Sequence, residues 1–428
     1  MNKILIIAYF FPPTSAVGGG VIRTLKFVKY LPAFGYRPFV VSVKDSFLLK
    51  DESLLGDIPK DILVSRVFHL DPRYLLQLLF KQRAEQRPRG IYLEKRFPLK
   101  DFIRRVVFPD FAVGWILPAV WLGLRLMRKE KIDTIFVSVP PFSSLIVGFL
   151  LKKLTGKTLV LDYRDLLVLG KKNAKQSGLF VSLKRIIERK IIACSDAIIN
   201  TSEEYRQSLI DQVGPTTKKF HLITNGFDKQ DLEFARFGDR NASFKIYYAG
   251  YLYGNRTPFL FFDAIKELVE RNTFADHLQV KIIGCVERDV LNYGPLQFLI
   301  KNNNLSFEHF LPYREALKKL NQADVFLVTS DIDNNGMLAG KLFEYMALLK
   351  PILAVARKDS STNKLVKKLN LGIAADMFDK RSIEQAIVKL YHDAKIPGRK
   401  VKFDADSIEG FERKNLTSRL ATVINGIK

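Results

Sequence analysis

FKIYYAG, residues 244–250, is where the chain begins a pattern it has already run through once. A short β-branched and aromatic run ends in a glycine and helical sequence follows. The alternation then continues through VKIIG (280–284), SFEHFL (306–311), VFLVTS (325–330) and PILAVA (351–356). The earlier round reads KILIIAYF (3–10), FVVSV (39–43), TIFVSV (134–139), TLVLDY (158–163) and AIINT (197–201), again with helical stretches between. Continuous apolar strands separated by helices mark βαβ units, whose parallel sheet is covered on both faces. Two rounds predict an α/β protein of two doubly wound, Rossmann-like domains, residues 1–225 and 240–400. The stretch 224–243, rich in Gly, Asn and Asp and without periodicity, reads as their linker. FERKNLTSRLATVINGI (411–427) has helical spacing, and residues 406–428 are expected to pack back on the first domain. Ligands of such sheets bind beyond the carboxyl ends of the strands, so the expected site is a cleft between facing domains.

A length of 428 residues suits two cores of this kind. Lys and Arg number 68 against 44 Asp and Glu, a formal charge of +24 that attracts nucleotide phosphates, polyanions or an anionic membrane surface. The cations are spread through both halves rather than drawn into one stripe with stacking aromatics, which speaks against nucleic acid. Cys194 and Cys285 stand far apart, without CxxC or Cys/His clustering, so no disulfide framework or zinc site is expected and a reducing cytosol is the simplest home. NKILIIAYFF lacks the features of a signal peptide. The most membrane-like stretch, residues 106–127, is interrupted by Pro109, Asp110, Pro118 and Arg125, and no transmembrane helix is expected.

The strongest basic cluster, FKQRAEQRPRGIYLEKRFPLKDFIRR (80–105), runs directly into that amphipathic stretch. Two readings stand: a patch facing an anionic membrane or a lipid substrate, or a solvated loop followed by a core helix.

Two loops carry chemistry. AYFFPPTSAVGGG (8–20) hands a strand over to a helix, and Gly18, Gly19 and Gly20 let backbone N–H groups approach an anionic or polyhydroxyl ligand at the helix head. GGGVIR is not G-x-G-x-x-G and lacks the acid some 20 residues on, which disfavours a dinucleotide-dependent oxidoreductase. A tight turn without ligand is the plainer alternative. In NNGMLAGKLFEYMALLKPILAV (334–355), Lys341 and Glu344 share a face near the positive end of a short helix, where a lysine neutralises phosphate and a carboxylate accepts both ribose hydroxyls. An exposed ion pair is the alternative there.

With PDFAVGW (109–115), VSVPPFSS (137–144), LDYRD (161–165), SDAIINTSE (195–203), TNGFD (224–228), YYAGYLYGNR (247–256) and GKLFEYMALLKP (340–351) in this order, nearly the whole chain resembles the GT-B glycosyltransferases. It resembles specifically the retaining group 1, or family four, type that includes many bacterial polysaccharide and lipopolysaccharide enzymes. The resemblance implies a nucleotide-sugar donor on the second domain and a saccharide or lipid-linked acceptor on the first. It implies retention of anomeric configuration, and work in envelope, capsule or O-antigen synthesis. Neither a metal nor a cofactor is implied, and the expected location is cytoplasmic, with peripheral contact at the inner face of the plasma membrane. By position, Glu344 corresponds to the second acid of the family's Glu-x7-Glu motif, holding the donor ribose. Gly336, Met337 and Leu338 begin the loop whose amides meet the diphosphate; Gly250, Arg256 and Lys341 complete the donor set, with Gly18 to Gly20 opposite.

Three departures follow. Gly336 stands where the first acid of Glu-x7-Glu belongs, with Asp333 or a backbone amide as replacements. Tyr251 stands where an arginine often follows the strand glycine. VSVPPFSS lacks the cleft histidine of many relatives, so Asp162 and Asp165 become the candidate acids of the first domain, Asp165 orienting the acceptor hydroxyl or taking its proton. A helix cap or a pair with Arg164 is the alternative role for Asp165. Asp331 and Asp333 in DIDNN read as loop acids, not a divalent-cation site. Outside the transferase reading stand a nucleotide-sugar 2-epimerase of the same fold, revealed by a free epimer formed from UDP-GlcNAc without acceptor, and a non-catalytic nucleotide-sugar or polyanion binder.

Overall fold

The computed structural model describes residues 1–14, 19–44, 50–68, 108–169, 178–214, 219–232, 243–274, 278–309, 311–396 and 405–427. They form two compact units, one drawn from Met1 to Thr224 together with the residues from Arg413 on, the other running from Asn225 to Glu412.

In the first unit, β1 (Asn2–Ile7), β2 (Tyr36–Val43), β3 (Leu63–Val67), β4 (Thr134–Val139), β5 (Thr158–Tyr163), β6 (Ala197–Asn200) and β7 (Phe220–Leu222) make one sheet in the order β3-β2-β1-β4-β5-β6-β7. Every pairing is parallel. Helices α1 (Gly19–Tyr30), α2 (Ile116–Glu130), α3 (Phe142–Thr155), α4 (Leu179–Cys194) and α5 (Glu203–Val213) cover it. The all-buried β4 and the five buried residues of β5 explain why these strands read as unbroken apolar runs.

The second unit repeats the plan. Its strands β8 (Phe244–Leu252), β9 (Leu278–Val286), β10 (Leu305–Glu308), β11 (Val325–Thr329), β12 (Ile352–Ala356) and β13 (Gly372–Asp376) lie in the order β10-β9-β8-β11-β12-β13, all parallel. Its helices are α6 (Phe259–Glu270), α7 (Arg288–Leu291), α8 (Gly294–Lys301), α9 (Tyr313–Leu320), α10 (Gly340–Ala347), α11 (Ser361–Lys368), α12 (Lys380–Lys395) and α13 (Ala405–Glu409). One apolar cluster, including Phe261, Ile265 and Ile387, fills one face of the sheet, and another, including Leu342, Phe343 and Met346, fills the other. Each such side chain contributes about 1.5–3 kcal/mol on leaving water.

The two doubly wound sheets expected from the sequence are therefore present. The ten expected strands are found, and β3, β7 and β13 are added. All three lie at sheet edges, where half-exposed or small residues replace the apolar run. The stretch expected as a linker is ordered at its start, where Phe227 N–H donates to Phe411 O, and its later residues lie outside those described. The basic cluster at 80–105 also lies outside them. The amphipathic stretch after it becomes α2, which buries Ile116, Ala119, Val120, Gly123, Leu126 and Met127. A final helix, α14 (Arg413–Asn425), belongs to the first unit and packs on α1 through buried Leu416, Leu420 and Ile424.

In each sheet the winding reverses once, between β1 and β4 and between β8 and β11. A crevice opens beyond the strand ends at such a reversal. In the second unit β8 pairs with β11 only at Ile246–Val325 and Tyr247–Phe326, whereas it stays paired with β9 as far as Leu252–Val286. The N–H of Ala249 instead donates to the Tyr345 hydroxyl at 2.8 Å, and Tyr345 is itself stacked on Phe326.

Candidate functional site

The second unit gathers most of the expected donor residues at its reversal point. Gly250 lies near the end of β8 and Arg256 follows it; Gly336, Met337, Leu338, Lys341 and Glu344 follow β11. Gly250 has φ of +136°, and a Cβ there would lie 2.8 Å from the Lys341 ammonium, so the bare backbone is what lets that side chain cross. Lys341 Nζ sits 3.4 Å from the centre of the Tyr248 ring, a close cation–π stack. Burial first, and the Arg256 guanidinium second, hold the lysine well below its ordinary value, while Glu344 pulls the other way. Burial also pushes the Tyr248 phenol up, and its hydroxyl donates to Tyr251 O.

Arg256 lies over the Tyr253 ring and donates through Nη2 to the Met337 sulfur at 2.8 Å. Its Nε, the Thr257 hydroxyl and the Ser330 hydroxyl are buried without hydrogen-bond partners. The loops bearing them are tied together, since Thr329 Oγ1 donates to Arg256 O and Ile332 N to Asn255 O. Buried polar groups are ordinarily satisfied, so Arg256 Nε and the two hydroxyls make the loops after β8 and β11 the candidate polar site of this unit. Sequence reasoning missed Tyr248, Thr257 and Ser330; only their places at strand ends and beside Arg256 could have flagged them.

Gly336 is buried, and Met337 is braced by Thr362 Oγ1 donating to its carbonyl. Leu338 packs its side chain against the apolar cluster beneath α10, which leaves the main chain as its polar surface. In the DIDNN loop, Asp331 accepts from Asp333 N, and Asp333 accepts from Asn255 Nδ2 at 2.6 Å.

In the first unit Gly18 lies outside the described residues, while Gly19 opens α1 and Gly20 follows. A Cβ at Gly20 would fall 1.3 Å from Arg164 Nη1. Arg164, only 9% exposed, donates from Nε to Val139 O at 3.1 Å and from Nη2 to Pro140 O at 2.8 Å. Its guanidinium is thereby held at the head of α1. Burial lowers its pKa, and the Asp165 and Asp162 carboxylates partly offset this.

The two candidate acids end in different settings. Asp162 is fully enclosed and holds Arg23, accepting from Nη2 at 2.8 Å and from Nε at 3.1 Å, while the same guanidinium also donates to Ile223 O and Thr224 O. Its carboxylate is enclosed by the protein, a setting that fits a positioning role rather than contact with substrate. Asp165 is exposed beyond β5, acts on Arg164 through its charge, and caps no helix among the described residues. Asp110 of PDFAVGW accepts from Ser143 N at 3.0 Å and from Ala112 N at 2.9 Å, fixing the start of α3 beside the strand ends. Among the described residues no helix is long and apolar enough to cross a membrane.

Comparison with known proteins places these features. Residues 84–231 match the profile of Glycosyltransferase Family 4. Over the whole chain the fold is similar to that of Anabaena HepE, solved in complex with UDP and glucose, with a TM-score of 0.65, 14% identity and 100% of both chains covered. It is similar to sucrose-phosphate synthase from Thermosynechococcus elongatus, with a TM-score of 0.68 and 13% identity over 100% of this chain and 99% of that one. It is also similar to the lipopolysaccharide outer core galactosyltransferase WaaB in its apo form, with a TM-score of 0.59 and 13% identity over 99% of each. No curated protein matches the chain by sequence. Residues 84–231 match Glycosyltransferase Family 4, and the two Rossmann-like units give the chain the GT-B fold of these solved structures.

Proposed function

We propose that the second unit holds the diphosphate of a nucleotide-sugar donor between the loops that follow β8 and β11, and that the first unit offers the acceptor. The observation that carries this reading is the convergence of Lys341 and Arg256, with the orphaned Thr257 and Ser330 hydroxyls, where β8 and β11 part. Breaking a sugar–phosphate bond leaves negative charge on the departing diphosphate. Fixed cations and main-chain amides stabilise that charge as it develops, without a metal in the role. Glu344, one turn along α10 from Lys341, takes the ribose hydroxyls. HepE, with UDP and glucose bound, supports a nucleotide-sugar as ligand class.

In this reading Gly18 to Gly20, Arg164 and Asp165 serve the acceptor side, with Asp165 orienting the hydroxyl or taking its proton. Transfer proceeds with retention to a saccharide or lipid-linked acceptor in envelope polysaccharide synthesis, at the cytoplasmic membrane face. Gly336 in place of an acid leaves recognition of the transferred sugar to Asp333 and backbone amides.

A thermal-shift panel of UDP, GDP, ADP and TDP sugars tests the donor site, because a ligand bound only by the native state raises its melting temperature. One nucleotide class should shift the wild type, with a smaller shift for Glu344→Ala. A panel in which no nucleotide moves the melting temperature rejects the reading.

A further inference from the structure

Glu188 stands where an amphipathic helix has no use for a charge. On α4 it shares the inward face with Ile191 and Ile192, one turn before them, and it is fully enclosed. Taking a carboxylate out of water is costly, and an apolar residue of similar volume commonly serves stability as well or better. The acid is therefore kept for something other than the core.

What it holds is the connection that leaves β5. Its Oε2 accepts from Leu169 N at 2.9 Å and from Val168 N at 3.2 Å. Successive N–H groups that converge on one point form a small anion-binding hollow, and here a carboxylate of the chain itself fills it. The Tyr163 phenol, on the last residue of β5, lies beside the same carboxylate: burial first and the Glu188 charge second hold it well above its ordinary value. Glu188 thus meets both ends of the stretch 163–169.

Between those ends the chain is tied down further. Arg164 N donates to Val139 O at 3.2 Å, Thr201 Oγ1 donates to Arg164 O at 2.9 Å, and the arginine side chain adds its own bonds to Val139 O and Pro140 O. Leu166 and Leu169 are buried. Asp165 alone among residues 163–169 is exposed. An irregular connection that is anchored before and after, and open at a single carboxylate, is built to present that carboxylate.

We infer that Glu188 is a positioning residue for Asp165: by gripping Val168 and Leu169 it fixes where the Asp165 carboxylate stands. The inference rests on the reading of Asp165 as the group that meets the acceptor hydroxyl, and it adds the residue that sets the geometry of that group. Placement at this level matters, since a shift of about 1 Å in a reacting group can cost about 10²-fold in rate. None of the donor-site residues takes part.

Hydrogen–deuterium exchange followed by mass spectrometry reads the grip without any ligand. In the wild type the amides of Val168 and Leu169 should exchange slowly. In Glu188→Met, close in length but without the carboxylate, they should exchange at least about tenfold faster. Glu188→Gln keeps an oxygen for both N–H groups and should restore most of the protection. Release of nucleoside diphosphate from UDP-, GDP-, ADP- and TDP-glucose, with water as acceptor, reads the consequence. There kcat should fall about 10²-fold in Glu188→Met, with KM for the sugar nucleotide unchanged, and return toward wild type in Glu188→Gln. In the Asp165→Asn background Glu188→Met should cost nothing further, because the group it positions is already gone. Circular dichroism and the melting shift given by the sugar nucleotides report whether each variant is folded. The inference is overturned if both amides exchange freely in the wild type, if Glu188→Met leaves their exchange unchanged, or if its loss of kcat is as large in the Asp165→Asn background. A folded Asp165→Asn with full turnover overturns it differently, by removing the reading of Asp165 beneath it while the exchange pattern stands.

Discussion

Lys341 rests its ammonium on the face of Tyr248, 3.4 Å from the ring centre, and among the described residues no carboxylate is bonded to it. A cation so placed is partly desolvated and pressed by a neighbouring guanidinium, and it gains most from an arriving anion.

Lys341→Met should weaken nucleotide binding roughly 10- to 100-fold, the range for removing a hydrogen bond to a charged partner. Folding lowers the lysine pKa, so between that lowered value and the ordinary 10.5 the unfolded chain holds more protons and stability rises with pH. Melting temperatures of the unliganded protein should therefore climb from neutral to alkaline pH more steeply in the wild type than in Lys341→Met. Diphosphate binding should weaken over the same window as the ammonium is lost. Calorimetry in buffers of different ionisation enthalpy would reveal the proton uptake, and its absence would count against Lys341 as a phosphate ligand.

Gly20→Ala sets a methyl group into Arg164. That guanidinium is the end of a long side chain, yet it is pinned to two carbonyls, and displacing it should destabilise by about 1–3 kcal/mol. In a double-mutant cycle with Arg164→Ala, measured by urea denaturation, most of that loss should vanish.

Asp162→Asn and Asp165→Asn should part company. The first leaves Arg23 buried without its counter-charge and should destabilise by about 3–5 kcal/mol. The second should melt as the wild type does while turnover falls about 10²- to 10⁴-fold. Full turnover in a folded Asp165→Asn would remove it as the acceptor's base.

Gly284 faces Gly250 across β8 and β9, and with φ of +132° its Cβ would stand 2.3 Å from Gly250 O. Gly284→Ala should lower stability by about 1–3 kcal/mol and, by pushing Gly250 toward Lys341, raise the Kd for nucleotide. An unaltered Kd would show that the two strand ends move independently.

The central strands of both sheets were legible in the sequence because burial on both faces writes them as plain apolar runs. The edge strands were not: β13 begins at Gly372 and contributes GIAAD, a string of small residues with little apolar mass. At the site, Arg256, Lys341 and Glu344 could be picked out from residue type and place. Tyr248 could not, because an aromatic inside an apolar strand looks like core until its neighbour across the strand end is known. Asp162 was legible only in part, for a related reason. A carboxylate at a strand end suggests chemistry, and only the three-dimensional placement of Arg23, 139 residues earlier, reveals its partner.

α14 closes the first unit with residues that follow the whole of the second. During synthesis the ribosome must pass residue 425 before Leu416, Leu420 and Ile424 can seat against α1, whereas the second unit has emerged entire by then. The nascent chain should thus mature out of order, its middle becoming protease-resistant before its beginning does.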